Sequence, residues 1–242
     1  MTKRARRIIL VSLVVAAAMI ALAALIFQIS KARCFALAGE AICRVETTEK
    51  LVALSFDDGP TPQGVEWTTG ILSPRGAHAT FFLIGGELRG REALVQRILA
   101  GGHEVGNHSF SHVRMVGRSA AFYDREIART DDLLRQSGVA TPNLFRPPYG
   151  KKLIGLPEAL GRHGYRMIMW DVEDPSGAAT PRDYARRVIE EARPGSIILM
   201  HVMYKSNGVA REALPLVVDG LQARGFRVVT VGELLRHRAQ RE

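Results

Sequence analysis

Two adjacent carboxylates, Asp57 and Asp58, follow an apolar run in Ser55-Phe56-Asp57-Asp58-Gly59-Pro60. Charge at the exit of such a run is costly unless something neutralises it nearby, although an Asp-Gly pair taken alone reads as a turn. His108-Ser109-Phe110-Ser111-His112 sets two imidazoles four positions apart, a spacing that can aim both at one ion but is weak evidence by itself. Together with Asp58 they offer two nitrogens and one oxygen. That donor set suits zinc or another first-row divalent ion and leaves positions open for water and substrate. In Arg146-Pro147-Pro148-Tyr149-Gly150 the prolines stiffen the backbone and point a guanidinium in a defined direction, unless the motif is only a structural turn. In Leu199-Met200-His201 an apolar run ends in a histidine, which in isolation reads as an ordinary core residue.

The elements that would carry these residues alternate. Strand-like stretches are Leu51–Phe56, Ala79–Ile84, His103–Gly106, Leu144–Arg146, Arg166–Trp170, Ser196–His201 and Arg227–Thr230. Helix-like stretches are Arg91–Ala100, Ala120–Gln136, Leu156–His163, Pro181–Ala192 and Glu212–Arg224, with Pro215 tolerable only in a first turn. About seven strand–helix units imply a parallel sheet covered by helices. In such folds chemistry gathers at the C-terminal ends of strands. Asp57, Asp58, His108, His112, Arg146 and His201 all fall at or just past those ends. Motifs that are weak one by one therefore agree on a single face.

The 242 residues are 47% hydrophobic and 24% charged, an ordinary globular balance. Of the net charge of +9, six units come from Lys3, Arg4, Arg6, Arg7, Lys31 and Arg33, which leaves +3 for the rest. Basic clusters interleaved with aromatics are missing, so nucleic acid is not an expected partner. Residues 8–29 are apolar apart from Ser12 and Gln28. As a helix they reach about 33 Å, enough for a hydrocarbon core of about 30 Å. The run is longer than a signal peptide's apolar region, so an uncleaved single-pass anchor is expected. Four basic residues before it against two after place the bulk of the chain outside the cytoplasm, in the periplasm or at the cell surface. The organisation is then residues 1–29 as cytoplasmic tip and anchor, 30–47 as linker and 48–242 as the folded domain. Cys34 and Cys43, the two cysteines, could pair in an oxidising compartment, remain free, or in the case of Cys34 be acylated.

Taken in order and spacing, SFDDGP, HSFSH, RPPYG and LMH resemble the first, second, third and fifth motifs of the polysaccharide deacetylase (NodB-homology) family of carbohydrate esterases. The resemblance covers about residues 48–236. It implies an α/β fold, a distorted (β/α) barrel with about seven parallel strands, and an N-deacetylase that hydrolyses linear amide bonds. Its implied roles are a metal held by Asp58, His108 and His112, a general base in Asp57 and a general acid in His201. Arg146 would keep Asp57 ionised, the Tyr149 N–H would stabilise the oxyanion, and Leu199 would line the acetyl pocket, with Trp170 also at the substrate. One divalent ion is implied, zinc first, with cobalt, nickel, manganese or iron as alternatives.

The fourth motif departs from the family. An Asp-Trp pair is usual there, but Trp170 is followed by Asp171-Val172-Glu173-Asp174-Pro175 with no second tryptophan. Asp174 is the expected partner of His201, ahead of Asp171. The missing ring removes an aromatic wall from the sugar groove that the resemblance implies. Expected substrates are N-acetylated glycans of the chitooligosaccharide or peptidoglycan type. The alternatives are a deformylase or deacetylase of a lipid-linked sugar, and a glycan binder without turnover.

Overall fold

A computed structural model of the chain describes residues 3–238. Helix α1 (Lys3–Lys31) contains the apolar run. Its 27-residue stretch Lys3–Ile29 holds an 18-residue window of mean hydropathy 3.0 and is long and apolar enough to cross a membrane. None of the apolar window is covered by the rest of the chain. It is therefore not a core helix of this fold.

The remaining elements follow as β1 (Ala41–Ile42), β2 (Leu51–Asp57), α2 (Pro62–Leu72), β3 (Thr80–Leu83), α3 (Gly85–Leu88), α4 (Glu92–Ala100), β4 (Glu104–Asn107) and α5 (Ala120–Gln136). After them come β5 (Leu144–Phe145), α6 (Gly155–Arg162), β6 (Arg166–Ile168), α7 (Pro181–Glu191), β7 (Ile197–Met200), α8 (Gly208–Ala223), β8 (Arg227–Val229) and α9 (Val231–Arg236). The strand order is β1-β6-β5-β4-β3-β2-β7, with β8 against β2, and every ladder is parallel. The sheet curls until single bridges, Val172 to Ile198 and Arg44 to Ser196, link the β6 and β1 side to β7. The result is the expected distorted barrel.

Alternation along β2 explains the two cores. Val52, Leu54 and Phe56 pack outward with Phe81, Leu83, Ile198 and Met200 against the helices. Leu51 and Ala53 face inward with Phe82, Leu144, Ile197 and Leu199. Both faces are apolar because both are covered, so the strand reads as an unbroken hydrophobic run. The same parity carries Ser55 and Asp57 to the inner face. Helix α9 caps the opposite end, its Val231 N–H donating to Thr80 Oγ1 at 2.8 Å and its Gly232 N–H to Glu104 Oε2 at 2.8 Å.

Some features differ from expectation. The linker contributes β1, whose two residues pair with Met167 and Ile168, and of the states open to the cysteines the structure has Cys34 bonded to Cys43. Helices α2, α3 and α9 were absent from the expected elements. Helix α8 begins at Gly208, which puts Pro215 inside it, well beyond the first turn. A proline there removes the N–H that would bond the carbonyl of Arg211. The indole Nε1 of Trp67 on α2 donates to that carbonyl at 3.4 Å and replaces the lost bond.

Candidate metal-assisted active site

The C-terminal end of β2 delivers Asp57 inward and Asp58 into a turn with φ of 76°, followed by Gly59 at 68°. Arg91 Nη1 holds this turn from outside by donating to Pro60 O at 2.7 Å. Strand β4 ends at Asn107, whose buried side chain organises the next loop. Its Oδ1 accepts from Ser109 N at 2.8 Å, and its Nδ2 donates to Ile127 O at 3.1 Å and Asp131 Oδ1 at 3.0 Å. Ser109 Oγ then accepts from His112 N at 3.1 Å. Ser109 and His112 both have positive φ, 62° and 53°, a conformation that non-glycine residues hold only when their surroundings fix it. Glu126 supplies the fixing: its Oε2 accepts from Phe110 N, Ser111 N and Ser111 Oγ at 3.1, 2.8 and 2.9 Å.

This loop brings both histidines to Asp58. The Asp58 Oδ1 atom lies 3.8 Å from His108 Nε2 and 3.4 Å from His112 Nε2. The donor atoms of all three residues fall within 4.8 Å of one another. Bonds of about 2.0 Å in a tetrahedral site put ligand atoms about 3.3 Å apart, so the cluster fits a divalent ion. Two further observations support the fit. Asp58 Oδ1 is buried and has no hydrogen-bond donor. His108 Nδ1 lies 2.7 Å from the Arg146 carbonyl, which can only accept, so Nδ1 carries the proton and the Nε2 lone pair faces the cluster. Burial holds the His108 pKa below its usual value against the pull of Asp57, which keeps the ring neutral.

Asp57 stands beside the cluster, its Oδ2 3.7 Å from His108 Nε2. Arg146, which is 0% exposed, donates from Nη1 to Asp57 Oδ1 at 2.7 Å. The other guanidinium nitrogens reach Ile168 O and Met169 O at 3.4 and 3.2 Å, and the Phe82 ring lies 4.1 Å beneath. Burial alone would raise the Asp57 pKa. The positive charges of Arg146 and His201 overcome that effect and hold the carboxyl below its usual range.

His201 lies just past β7, on the other side of Asp57. Its Nδ1 and its backbone N–H are both held by the Asp174 carboxylate, the latter at 3.2 Å, and the Tyr184 hydroxyl donates to the same carboxylate. Burial opposes protonation of the ring, but Asp174, Asp57 and Asp58 carry its pKa up to about 9. Asp171 is spent elsewhere, accepting from Ile197 N and Ser196 Oγ at 2.9 Å each.

Tyr149, with φ of 56°, places its exposed ring 4.8 Å from His112. Leu199 sits on the inner face of β7, 2% exposed. Trp170 is 7% exposed, bonds Glu173 Oε2 through Nε1 at 2.8 Å and packs 5.6 Å from the Arg146 guanidinium. It underlies the site, and only an edge could reach a substrate. Asn107, Glu126 and Tyr184 were not singled out from the sequence. Glu126 did carry a signal: it shares the face of Tyr123, Ile127, Thr130 and Leu134 on α5 and is the acid within that buried stripe.

Comparison with known proteins bears on this arrangement. The model of the polysaccharide deacetylase family matches residues 44–168, which include Asp57, Asp58, His108, His112 and Arg146 and end before Asp174 and His201. A peptidoglycan-N-acetylglucosamine deacetylase of Bacillus cereus is 32% identical over 197 residues, covering 80% of this chain and 92% of that protein. A chitooligosaccharide deacetylase of Azorhizobium caulinodans is 31% identical over 197 residues, covering 76% and 93%. The peptidoglycan-N-acetylmuramic acid deacetylase PdaC of Bacillus subtilis is 32% identical over 201 residues, 82% of this chain but 41% of the longer relative. The solved structure of PdaC aligns with a TM-score of 0.71 at 30% identity, over 80% of this chain and 93% of the solved one.

Proposed function

Because the chain belongs to the polysaccharide deacetylase family, we propose that it removes N-acetyl groups from an amino-sugar glycan of the peptidoglycan or chitooligosaccharide type, with help from one divalent ion. Asp58, His108 and His112 would hold the ion, zinc first. Bound there, it would polarise the amide carbonyl and lower the pKa of a water molecule. Asp57, kept ionised by Arg146, takes a proton from the attacking water as the oxygen–carbon bond forms. His201, protonated and oriented by Asp174, gives a proton to the sugar nitrogen as the carbon–nitrogen bond breaks. Acetate and a free amine leave. The Tyr149 N–H faces the developing oxyanion, and Leu199 lies where the acetyl methyl enters.

The observation that supports this reading most strongly is the division of labour between two carboxylates adjacent in sequence. Asp58 points an oxygen without a donor at two imidazoles, while Asp57 is buried against a guanidinium. A binder without turnover needs neither the ionised Asp57 nor the Asp174–His201 pair. We further place the folded domain outside the cytoplasm, tethered by residues 8–29. Amine release from N-acetylglucosamine oligomers, measured with and without chelator, tests the reaction. Release that chelator abolishes and added metal restores is expected. Release indifferent to chelator, or none from any acetylated glycan, would overturn it.

A further inference from the structure

The end of the apolar helix touches the mouth of the site at two rim loops. Past β5, two residues beyond Tyr149, the Lys151 ammonium lies 5.7 Å from the ring of Phe27, in the last turns of α1. Lys152, almost fully buried, donates from Nζ to Ala32 O at 2.6 Å, just beyond the helix. Past β6, Arg33 Nη1 pairs with Glu173 Oε1 at 3.1 Å, one residue before the Asp174 that holds His201. Glu173 is itself fixed by the Trp170 indole. The helix therefore ends against the loops that carry Tyr149 and Asp174.

A covalent link restrains the helix end as well. Cys43 directly follows β1, where the Ile42 carbonyl accepts from Met169 N, and the Met169 carbonyl in turn accepts from Arg146. Cys34, three residues beyond Lys31, is bonded to it with Cα atoms 5.4 Å apart. Three residues extend at most about 11 Å. The helix end thus cannot move more than about 16 Å from Cys43, however the linker moves.

The position of the hydrophobic boundary completes the argument. The apolar run ends at Ile29, so Phe27 would sit at the edge of the hydrocarbon core and Lys151 at the level of the headgroups. Phe35, Tyr149 and Ile154 on this side are 52%, 57% and 49% exposed, apolar or amphipathic surface suited to an interface. Tyr149 also contacts the ring of His112.

We propose that the catalytic mouth is held against the membrane surface, and that the sugar it serves is an N-acylated amino sugar carried on a membrane lipid. This deepens the deacetylase reading and rests on its membrane tether. A glycan extending far from the membrane would be the poorer substrate, since its acetyl groups would have to come down to the lipid surface.

Two measurements on the full chain, disulfide intact, in phosphatidylcholine–phosphatidylglycerol vesicles test the proposal. Ile154→Cys and Arg236→Cys, the second on α9 at the far end of the barrel, each receive a fluorescent thiol label. A headgroup-linked nitroxide lipid should quench the label at position 154 several-fold more than that at 236. Equal quenching overturns the proposal whether or not the protein is active. Separately, about eleven polar helix-forming residues, roughly 16 Å, are inserted between Gln28 and Ile29 to lift the barrel from the membrane. Hydrolysis of N-acetylglucosamine joined through a diphosphate to a polyprenyl chain in the same vesicles should fall at least tenfold, while hydrolysis of a soluble N-acetylglucosamine oligomer stays within twofold. Loss of neither activity overturns the membrane placement and leaves the deacetylase reading standing. Absence of both before insertion overturns the deacetylase reading, with the quenching comparison still deciding the placement.

Discussion

Replacing Arg146 by Met should move the titration of a residue it only touches. The guanidinium is fully buried and bonds Asp57 Oδ1 at 2.7 Å. Removing one member of a buried pair and stranding the other costs about 3–5 kcal/mol. Asp57 can escape most of that cost by taking up a proton. At about 1.4 kcal/mol per pKa unit, the same energy corresponds to a rise of roughly 2–4 units. In the wild type Asp57 lies below its usual 3.8, so it contributes stability at neutral pH that is lost only in strong acid. In Arg146→Met its folded pKa would lie above the unfolded value, and the sign reverses: the variant gains relative stability as pH falls through that raised pKa. The assays are kcat/KM from pH 3 to 9 and denaturant unfolding at pH 8 and pH 5. The acid limb should rise by roughly two units or more. The stability deficit should be largest at pH 8 and shrink at pH 5. An unmoved limb together with a deficit independent of pH would refute the assignment of Arg146 as the group that keeps Asp57 ionised.

Asp174→Asn should shift the alkaline limb of kcat toward acid by about 1–3 units, because His201 loses the adjacent carboxylate that, with Asp57 and Asp58, lifts its pKa to about 9 against burial; a pH profile reads this directly. Glu126→Ala should weaken metal affinity about 10- to 100-fold without touching a ligand, because three donors of the His108–His112 loop lose their acceptor; competition with a metallochromic chelator measures it. His103 is buried beside His78, and burial first, then the neighbouring ring, push its pKa down to about 4. The stability this contributes is complete above the unfolded value near 6.5 and is lost as pH falls toward 4, about 3 kcal/mol in all. His103→Gln should flatten that stretch of the stability curve, as read by denaturant midpoints.

Much of the frame was legible because parallel strands covered on both faces must be apolar along their length. All seven expected strands are present, most of them shorter by a residue or two at the ends, where the chain turns toward the site. What escaped has physical reasons. β1 is two residues long and owes its place to pairing with β6, not to any pattern of its own. α2 contains Gly64, Gly70 and two threonines, poor helix formers, and is set by the Thr61 side chain accepting from Gly64 N with Pro62 at the first position. The proline in α8 is tolerated through Trp67, a contact between residues 144 positions apart that no local rule can anticipate. At the site, residue types and strand ends pointed to Asp57, Asp58, His108, His112, Arg146 and His201. The choice between Asp174 and Asp171 depended on which carboxylate the backbone of β7 consumes, and the structure gives Asp171 that part. Glu126 and Asn107 act through backbone N–H groups of a loop whose conformation the sequence does not disclose.

Everything proposed for the reaction depends on one ion shared by Asp58, His108 and His112. Diffraction from zinc-soaked crystals, recorded on both sides of the zinc absorption edge, tests this directly. An anomalous peak about 2.0–2.2 Å from Asp58 and from the Nε2 atoms of His108 and His112 is expected. A catalytically active protein whose anomalous peak lies elsewhere, or that shows none, would contradict it.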